Sequence, residues 1–277
     1  MTSPTSVFRR RLSDPAELSE ALGIPFSEQQ LTAITAPPEP AVIIAGAGSG
    51  KTTVMAARVV WLVGTGSVRP EQVLGLTFTR KAAGELSERI RTALVRAGVL
   101  DTDGVDEAGE QVVMTYDAFA ARLVSEHGLR VGVDGDQTMI TGATRYRLSA
   151  RVVANAAGPF ESLSRLRPVS LIDRVLKLDA DLQAHLVDRG ALDRHAREWR
   201  LAWAEAPQWR GKPYASVRDA EAALAERLEL ASLVRDYQQL KHRLGVVEFA
   251  EQMAVAARLV RDVPEVARLV RDQFPVV

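Results

Sequence analysis

The pattern of apolar and polar positions changes period several times along the chain. Ala41-Val42-Ile43-Ile44-Ala45 is an unbroken apolar run, rich in β-branched residues, that opens into glycines; it predicts a buried parallel strand. From Thr52 to Val63 the apolar residues Val54, Met55, Val59, Leu62 and Val63 recur at helical spacing. Val73-Leu74-Gly75-Leu76 predicts a second strand, and Lys81–Ala97 an amphipathic helix with Leu86, Ile90 and Leu94 on one face. A third pair follows, with Val112-Val113-Met114 as strand and Ala118–Val124 as helix. Alternation of this kind argues for an α/β domain, a parallel sheet with helices on both faces.

From about Gly128 helical periods take over. One helix is predicted after Ser170, through Leu171, Ile172, Val175, Leu182 and Leu186. A long one starts at Ser216, where Ser216 and Asp219 have capping-box spacing, and stops at Gly245. Asp262 with Glu265 predicts the cap of a last helix, Pro264–Gln273. Trp199–Tyr214, rich in Trp, Pro and Gly, reads as a packed loop. Packing inside the helical block is the simpler use of Trp199, Trp203 and Trp209, and a base-stacking surface is the alternative. Residues 1–23 read as a polar tail, and Phe274-Pro275-Val276-Val277 as the start of a strand.

Composition adds exclusions. Hydrophobic residues make up 47% and charged residues 25%, ordinary for a globular protein. The absence of cysteine rules out disulfides and thiolate metal sites. No apolar run approaches the ~18 residues of a membrane span, so no membrane partner is expected. Arg9-Arg10-Arg11 is followed by Leu12-Ser13-Asp14-Pro15, not by the apolar stretch an export signal needs, and a cytoplasmic location fits. Lys+Arg and Asp+Glu balance at 35 each. A nucleic-acid partner must therefore be argued from local motifs. His127, His185, His195 and His242 lack metal-ligand spacing.

The sharpest motif is Ala45-Gly46-Ala47-Gly48-Ser49-Gly50-Lys51-Thr52, between the first predicted strand and its helix. Glycines let backbone N–H groups turn inward around phosphate oxygens, and the following helix presents its positive N-terminus. Lys51 supplies charge to the β and γ phosphates, and the Thr52 hydroxyl is a Mg²⁺ ligand. Ala45 stands where the general pattern has glycine. A nucleoside triphosphate with Mg²⁺ is the expected ligand, although the loop alone names no reaction.

The flanks narrow it. Phe26-Ser27-Glu28-Gln29-Gln30-Leu31-Thr32-Ala33-Ile34 upstream and Leu76-Thr77-Phe78-Thr79-Arg80-Lys81-Ala82-Ala83-Gly84-Glu85-Leu86 downstream, with the loop between, resemble the UvrD/Rep/PcrA group of superfamily 1 DNA helicases. Order and spacing match from about Phe26 to Val124, and the likeness resumes at Val247-Glu248-Phe249 and from Val263 to Phe274. The resemblance implies a RecA-like P-loop fold: subdomain 1A over 24–127, a helical insertion 1B over 128–240, and a return to 1A over 241–277.

It also implies roles. Gln30 reads the adenine edge, the alternative being a surface helix glutamine. Thr53, where many members have Arg, belongs to the nucleotide site. Phe78 stacks on a base of single-stranded DNA, the alternative being a core Phe at a strand end. Thr77 and Thr79 hold the DNA backbone, and Arg80, where many members have Asn, adds a phosphate contact. Thr115 and Tyr116 fall in a second DNA-contacting motif, in which Asp117 replaces the usual His.

The family's Asp-Glu pair at the end of the Walker B strand and its second RecA-like domain are not found in these residues. The chain is therefore expected to be an N-terminal fragment, inactive alone, of an ATP-dependent DNA helicase or translocase acting in repair or recombination. Its expected substrate is single-stranded DNA, or duplex with a single-stranded tail. A motor subunit of a bacterial helicase–nuclease, its nuclease expected beyond Val277, is the near alternative, with a helicase–nuclease partner subunit. A non-hydrolysing nucleotide- or DNA-binding module is the alternative from another class.

Overall fold

A computed structural model describes residues 11–100 and 112–277. In chain order it contains α1 (Pro15–Leu22), α2 (Glu28–Thr35), α3 (Lys51–Gly64), β1 (Leu74–Thr77), α4 (Arg80–Arg96), β2 (Val112–Thr115) and α5 (Tyr116–His127). These are followed by β3 (Thr138–Met139), α6 (Gly142–Ala154), α7 (Pro168–Ala184), α8 (Arg189–Ala204), β4 (Gln208–Trp209) and β5 (Lys212–Pro213). The chain continues through α9 (Ala215–Arg243), β6 (Val246–Val247), α10 (Phe249–Asp262) and α11 (Pro264–Gln273). It is a mostly helical α/β protein with small parallel sheets, divided into two compact units. One runs to Phe119 and takes in Pro264–Val277; the other is Ala120–Val263.

In the first unit β1 and β2 pair in parallel, Leu74 opposite Val112 and Thr77 opposite Thr115. The other edge of β1 meets the chain end, where the Leu74 N–H donates to the Val276 carbonyl over 2.9 Å. The core combines Val54, Ala57, Val60 and Val63 of α3 with Leu86, Ile90 and Leu94 of α4, the stripe the sequence predicts. The first expected strand is not there. Residues 41–45 carry no strand pairing, with Val42 85% and Ile44 92% exposed. Strand propensity needs a neighbouring backbone to bond to, and no strand among the described residues pairs with 41–45.

Residues 11–22, expected as part of a polar tail, are packed. Asp14 caps α1 by accepting from the Ala16 N–H at 2.7 Å, with Pro15 opening the helix. Leu18 and Leu22, one turn apart, face inward beside Leu12. Gly64 makes that approach possible, because a Cβ there would sit 2.6 Å from a Leu12 methyl carbon.

The second unit is built on α6, α7 and α9, which enclose Val152, Leu163, Val175, Leu233, Val234 and Tyr237. Its buried centre also holds charge. Lys241 Nζ lies 3.1 Å from Asp179, 3.1 Å from Glu248 and 2.9 Å from Glu251, joining α9, α7 and the start of α10. The Tyr237 hydroxyl donates to Glu248 over 2.7 Å, and Arg145 of α6 meets the other Glu248 oxygen at 2.9 Å. Burial alone would depress the Lys241 pKa, but Asp179, Glu251 and Glu248 overcome it and hold the ammonium well above its ordinary value. Burial, and the bond to Glu248, also raise the Tyr237 phenol.

Ser216 does not cap α9: the helix begins at Ala215, and the Tyr214 carbonyl already accepts from the Val217 and Arg218 N–H groups at 3.1 and 3.2 Å. Nor is Trp199–Tyr214 a packed loop. The helical spacing of Trp199 and Trp203 extends α8 to Ala204, and a short hairpin of β4 and β5 follows, with Trp209 mostly exposed.

Candidate nucleotide and nucleic-acid site

The loop between Ala45 and Thr52 gains its shape from two glycines. Gly48 and Gly50 have φ of 76 and 78, left-handed values that a side chain would oppose. Gly50 is also the residue before α3, and the helix ladder begins with the Val54 N–H donating to its carbonyl at 2.9 Å. The N–H groups of Lys51, Thr52 and Thr53 thus have no acceptor within the helix. Donors at a helix N-terminus beside a glycine-rich turn form a concavity suited to an anion. Lys51 folds back over it, donating to the carbonyls of Ala45 at 2.8 Å and Gly46 at 2.6 Å. Ser49 Oγ closes the turn on the Gly46 carbonyl at 2.8 Å.

Gln30 comes to the same place from 19 residues upstream. Its Nε2 donates to the Ser49 carbonyl at 3.3 Å, and its Oε1 accepts from the Ser27 N–H at 2.9 Å. The Ser27 hydroxyl accepts from the Gln30 N–H in return, a capping box that sets the first turn of α2. The far end of α2 is held by Arg58 of α3, whose guanidinium donates to the carbonyls of Ala33, Ile34, Ala36 and Pro37 at 2.8–3.1 Å. Sequence reasoning missed Arg58, since a lone arginine on an apolar helix carries no motif. Together they fix α2 beside the loop.

These residues fit a triphosphate with Mg²⁺: backbone donors at the head of α3, the Lys51 ammonium beside them, and an exposed Thr52 hydroxyl. Mg²⁺ is commonly held by one or two protein groups plus phosphate oxygens, so no cage of carboxylates is needed. Among the described residues no cluster of acids and histidines is arranged to hold a metal. Thr53 is half-buried and lines a cavity of about 560 Å³ with Ala56, Ala57, Glu88 and Thr92, between α3 and α4.

The parallel register places the second group of residues. Thr77 and Thr115 are partners at the carboxyl ends of β1 and β2, so the residues after them emerge side by side. Phe78 and Tyr116 have ring centroids 5.4 Å apart. Phe78 is 90% exposed, so the core alternative does not hold for it. Thr77 Oγ1 donates to the Thr79 carbonyl at 3.1 Å, while the hydroxyls of Thr79 and Thr115 cap α4 and α5, each accepting a backbone N–H at 3.1 Å. Arg80, the first residue of α4, is exposed.

Known proteins match about half of this chain. A DNA helicase II of Haemophilus influenzae is 30% identical over 142 residues, 51% of this chain and 18% of the relative. PcrA, an ATP-dependent DNA helicase, is 34% identical over 134 residues in Leuconostoc citreum, covering 48% of this chain and 17% of that one. In Staphylococcus aureus PcrA is 29% identical over 166 residues, 59% and 21%. The matched stretches thus span about a fifth of those relatives' lengths. The family model for the UvrD/REP helicase N-terminal domain matches residues 26–277. With the match covering most of its length, the chain belongs to the UvrD/REP helicase family.

Proposed function

We propose that the chain is the ATP-binding part of an ATP-dependent DNA helicase or translocase that grips single-stranded DNA. The observation that carries this reading is the joint geometry of the first unit. An anion-binding loop with Lys51 at its rim shares that unit with an exposed aromatic pair at the carboxyl ends of parallel strands, where open α/β sheets receive ligands.

In this reading Gly48, Gly50 and the head of α3 cradle the phosphates. Lys51 exchanges its two carbonyl acceptors for phosphate oxygens, a trade of neutral for charged acceptors that favours binding. Bound Mg²⁺ neutralises phosphate charge, and Thr52 is the residue here that would hold it. Gln30 faces the base from across the loop; to bond it, the amide gives up or shares the Ser49 contact. Phe78 and Tyr116 stack on bases, which needs no sequence readout. Arg80 stands beside them as a phosphate contact.

A motor subunit of a bacterial helicase–nuclease would use the same residues, so the choice rests on chemistry beyond this site. The loop from Ala45 to Thr52 is expected to bind ATP–Mg²⁺. The test is phosphate release by the protein at its native length, with and without single-stranded DNA. Stimulation by DNA supports the reading; a DNA-independent rate, or none, overturns it.

A further inference from the structure

The second unit carries an aromatic and basic surface that the proposed site does not use. β4 and β5 pair antiparallel, Trp209 opposite Lys212, across a two-residue turn of Arg210 and Gly211. Their φ angles are 51 and 72, both positive, as a type I′ turn demands. Glycine adopts such an angle freely, but arginine does not, and Asn or Asp is the usual residue before Gly in this turn. Arg210 therefore sits at the tip in an unfavoured backbone conformation, a feature that concentrates at functional positions.

Its side chain is directed usefully. Arg210 Cζ lies 5.9 Å from the centroid of the Trp209 ring, within cation–π reach, and Trp209 is 65% exposed. Just upstream, His195, Trp199 and Trp203 follow one another by a helical turn on α8, with successive centroids 5.7 and 5.5 Å apart. Between Arg194 and Tyr214 stand five basic residues (Arg194, Arg197, Arg200, Arg210, Lys212) and two acids (Glu198, Glu205). That is a local charge of +3 in a chain whose net charge is +0.

We propose that this hairpin is a second contact for single-stranded nucleic acid, in which the Trp209 ring stacks on a base while Arg210 and Lys212 engage neighbouring phosphates. An exposed flat ring flanked by cations matches a strand that alternates π-face and phosphate. In a duplex the base faces are already stacked, so a single strand is the form that offers them to the ring. The contact lies in a different compact unit from the phosphate loop and needs no nucleotide.

The test is anisotropy of a fluorescein-labelled oligo(dT) with the full-length protein, without nucleotide, across a salt series. Trp209→Ala is expected to weaken binding about tenfold, and Trp209→Phe, which keeps a ring, to restore most of it. The double variant Arg210→Ala/Lys212→Ala is expected to lower the salt slope by about 1.4, at ~0.7 per phosphate contact. The melting temperature should not move, since these side chains are exposed. Phe78→Ala, run beside them, separates the two sites. If Phe78→Ala weakens binding while Trp209→Ala leaves it unchanged at every salt, the hairpin proposal is overturned, and a protein partner becomes its occupant. If Trp209→Ala weakens binding and Phe78→Ala does not, the hairpin stands and the strand-end reading fails. No oligo(dT) binding by the unaltered protein overturns both.

Discussion

The side-chain amide of Gln30 donates to the carbonyl of Ser49 over 3.3 Å, tying the first turn of α2 to the glycine-rich loop. The same side chain accepts from Ser27, so one residue both caps a helix and braces the loop that follows the next segment. Gln30→Ala removes both bonds from a part-exposed site, at about 1 kcal/mol of stability. If Gln30 also meets the base, the variant loses preference for ATP over GTP. Equilibrium binding of both fluorescent nucleotides checks this; an unchanged preference confines Gln30 to bracing.

Lys51→Ala is expected to weaken ATP–Mg²⁺ binding by about 1.5–3 kcal/mol, the worth of a charge-assisted hydrogen bond. The side chain is exposed and bonds to loop carbonyls, so the melting temperature should hold. Calorimetric titration with ATP and a thermal melt measure the two separately. Unchanged affinity would remove the loop from the phosphate site.

Phe78→Ala should leave stability within about 0.5 kcal/mol, as for other exposed positions, because the ring is 90% exposed. Single-stranded DNA binding should fall by about 1–3 kcal/mol. A loss of stability in place of affinity would mean that the Phe78–Tyr116 pair serves the fold.

Alkaline pH probes the second unit. Lys241 and Tyr237 both have folded pKa values raised above their unfolded ones. Their stabilisation is therefore complete below about pH 10, the unfolded range, and is lost as pH rises beyond it toward the folded values. Circular dichroism should show helix loss setting in above about pH 10. Lys241→Met leaves Asp179, Glu248 and Glu251 gathered without their common cation, a change expected to cost about 3–5 kcal/mol at neutral pH. A Lys241→Met variant as stable as the parent at pH 7 would show the cluster to be replaceable.

The sequence by itself determined most elements whose cause is local. Leu86, Ile90 and Leu94 repeat at the helical period, and α4 forms over them; glycines at 48 and 50 take the left-handed angles that only their missing Cβ permits without strain. The glycine-rich turn before α3 was legible for the same reason, since its residues are contiguous. What only the tertiary structure decided is what depends on a distant partner. Val42 and Ile44 have strand propensity, yet propensity supplies no second backbone, and they stay exposed. Leu12 and Leu18 lie within a polar stretch, and Gly64 opens the space that buries Leu12. Phe78 could have been core or surface until the register of β1 with β2 set it beside Tyr116. Lys241 and its three carboxylates span 73 residues of sequence from Asp179 to Glu251, and no spacing rule links them. Hydrogen bonds within a turn are written in neighbouring letters, whereas a buried charge is satisfied only by whichever helices the core brings within about 3 Å.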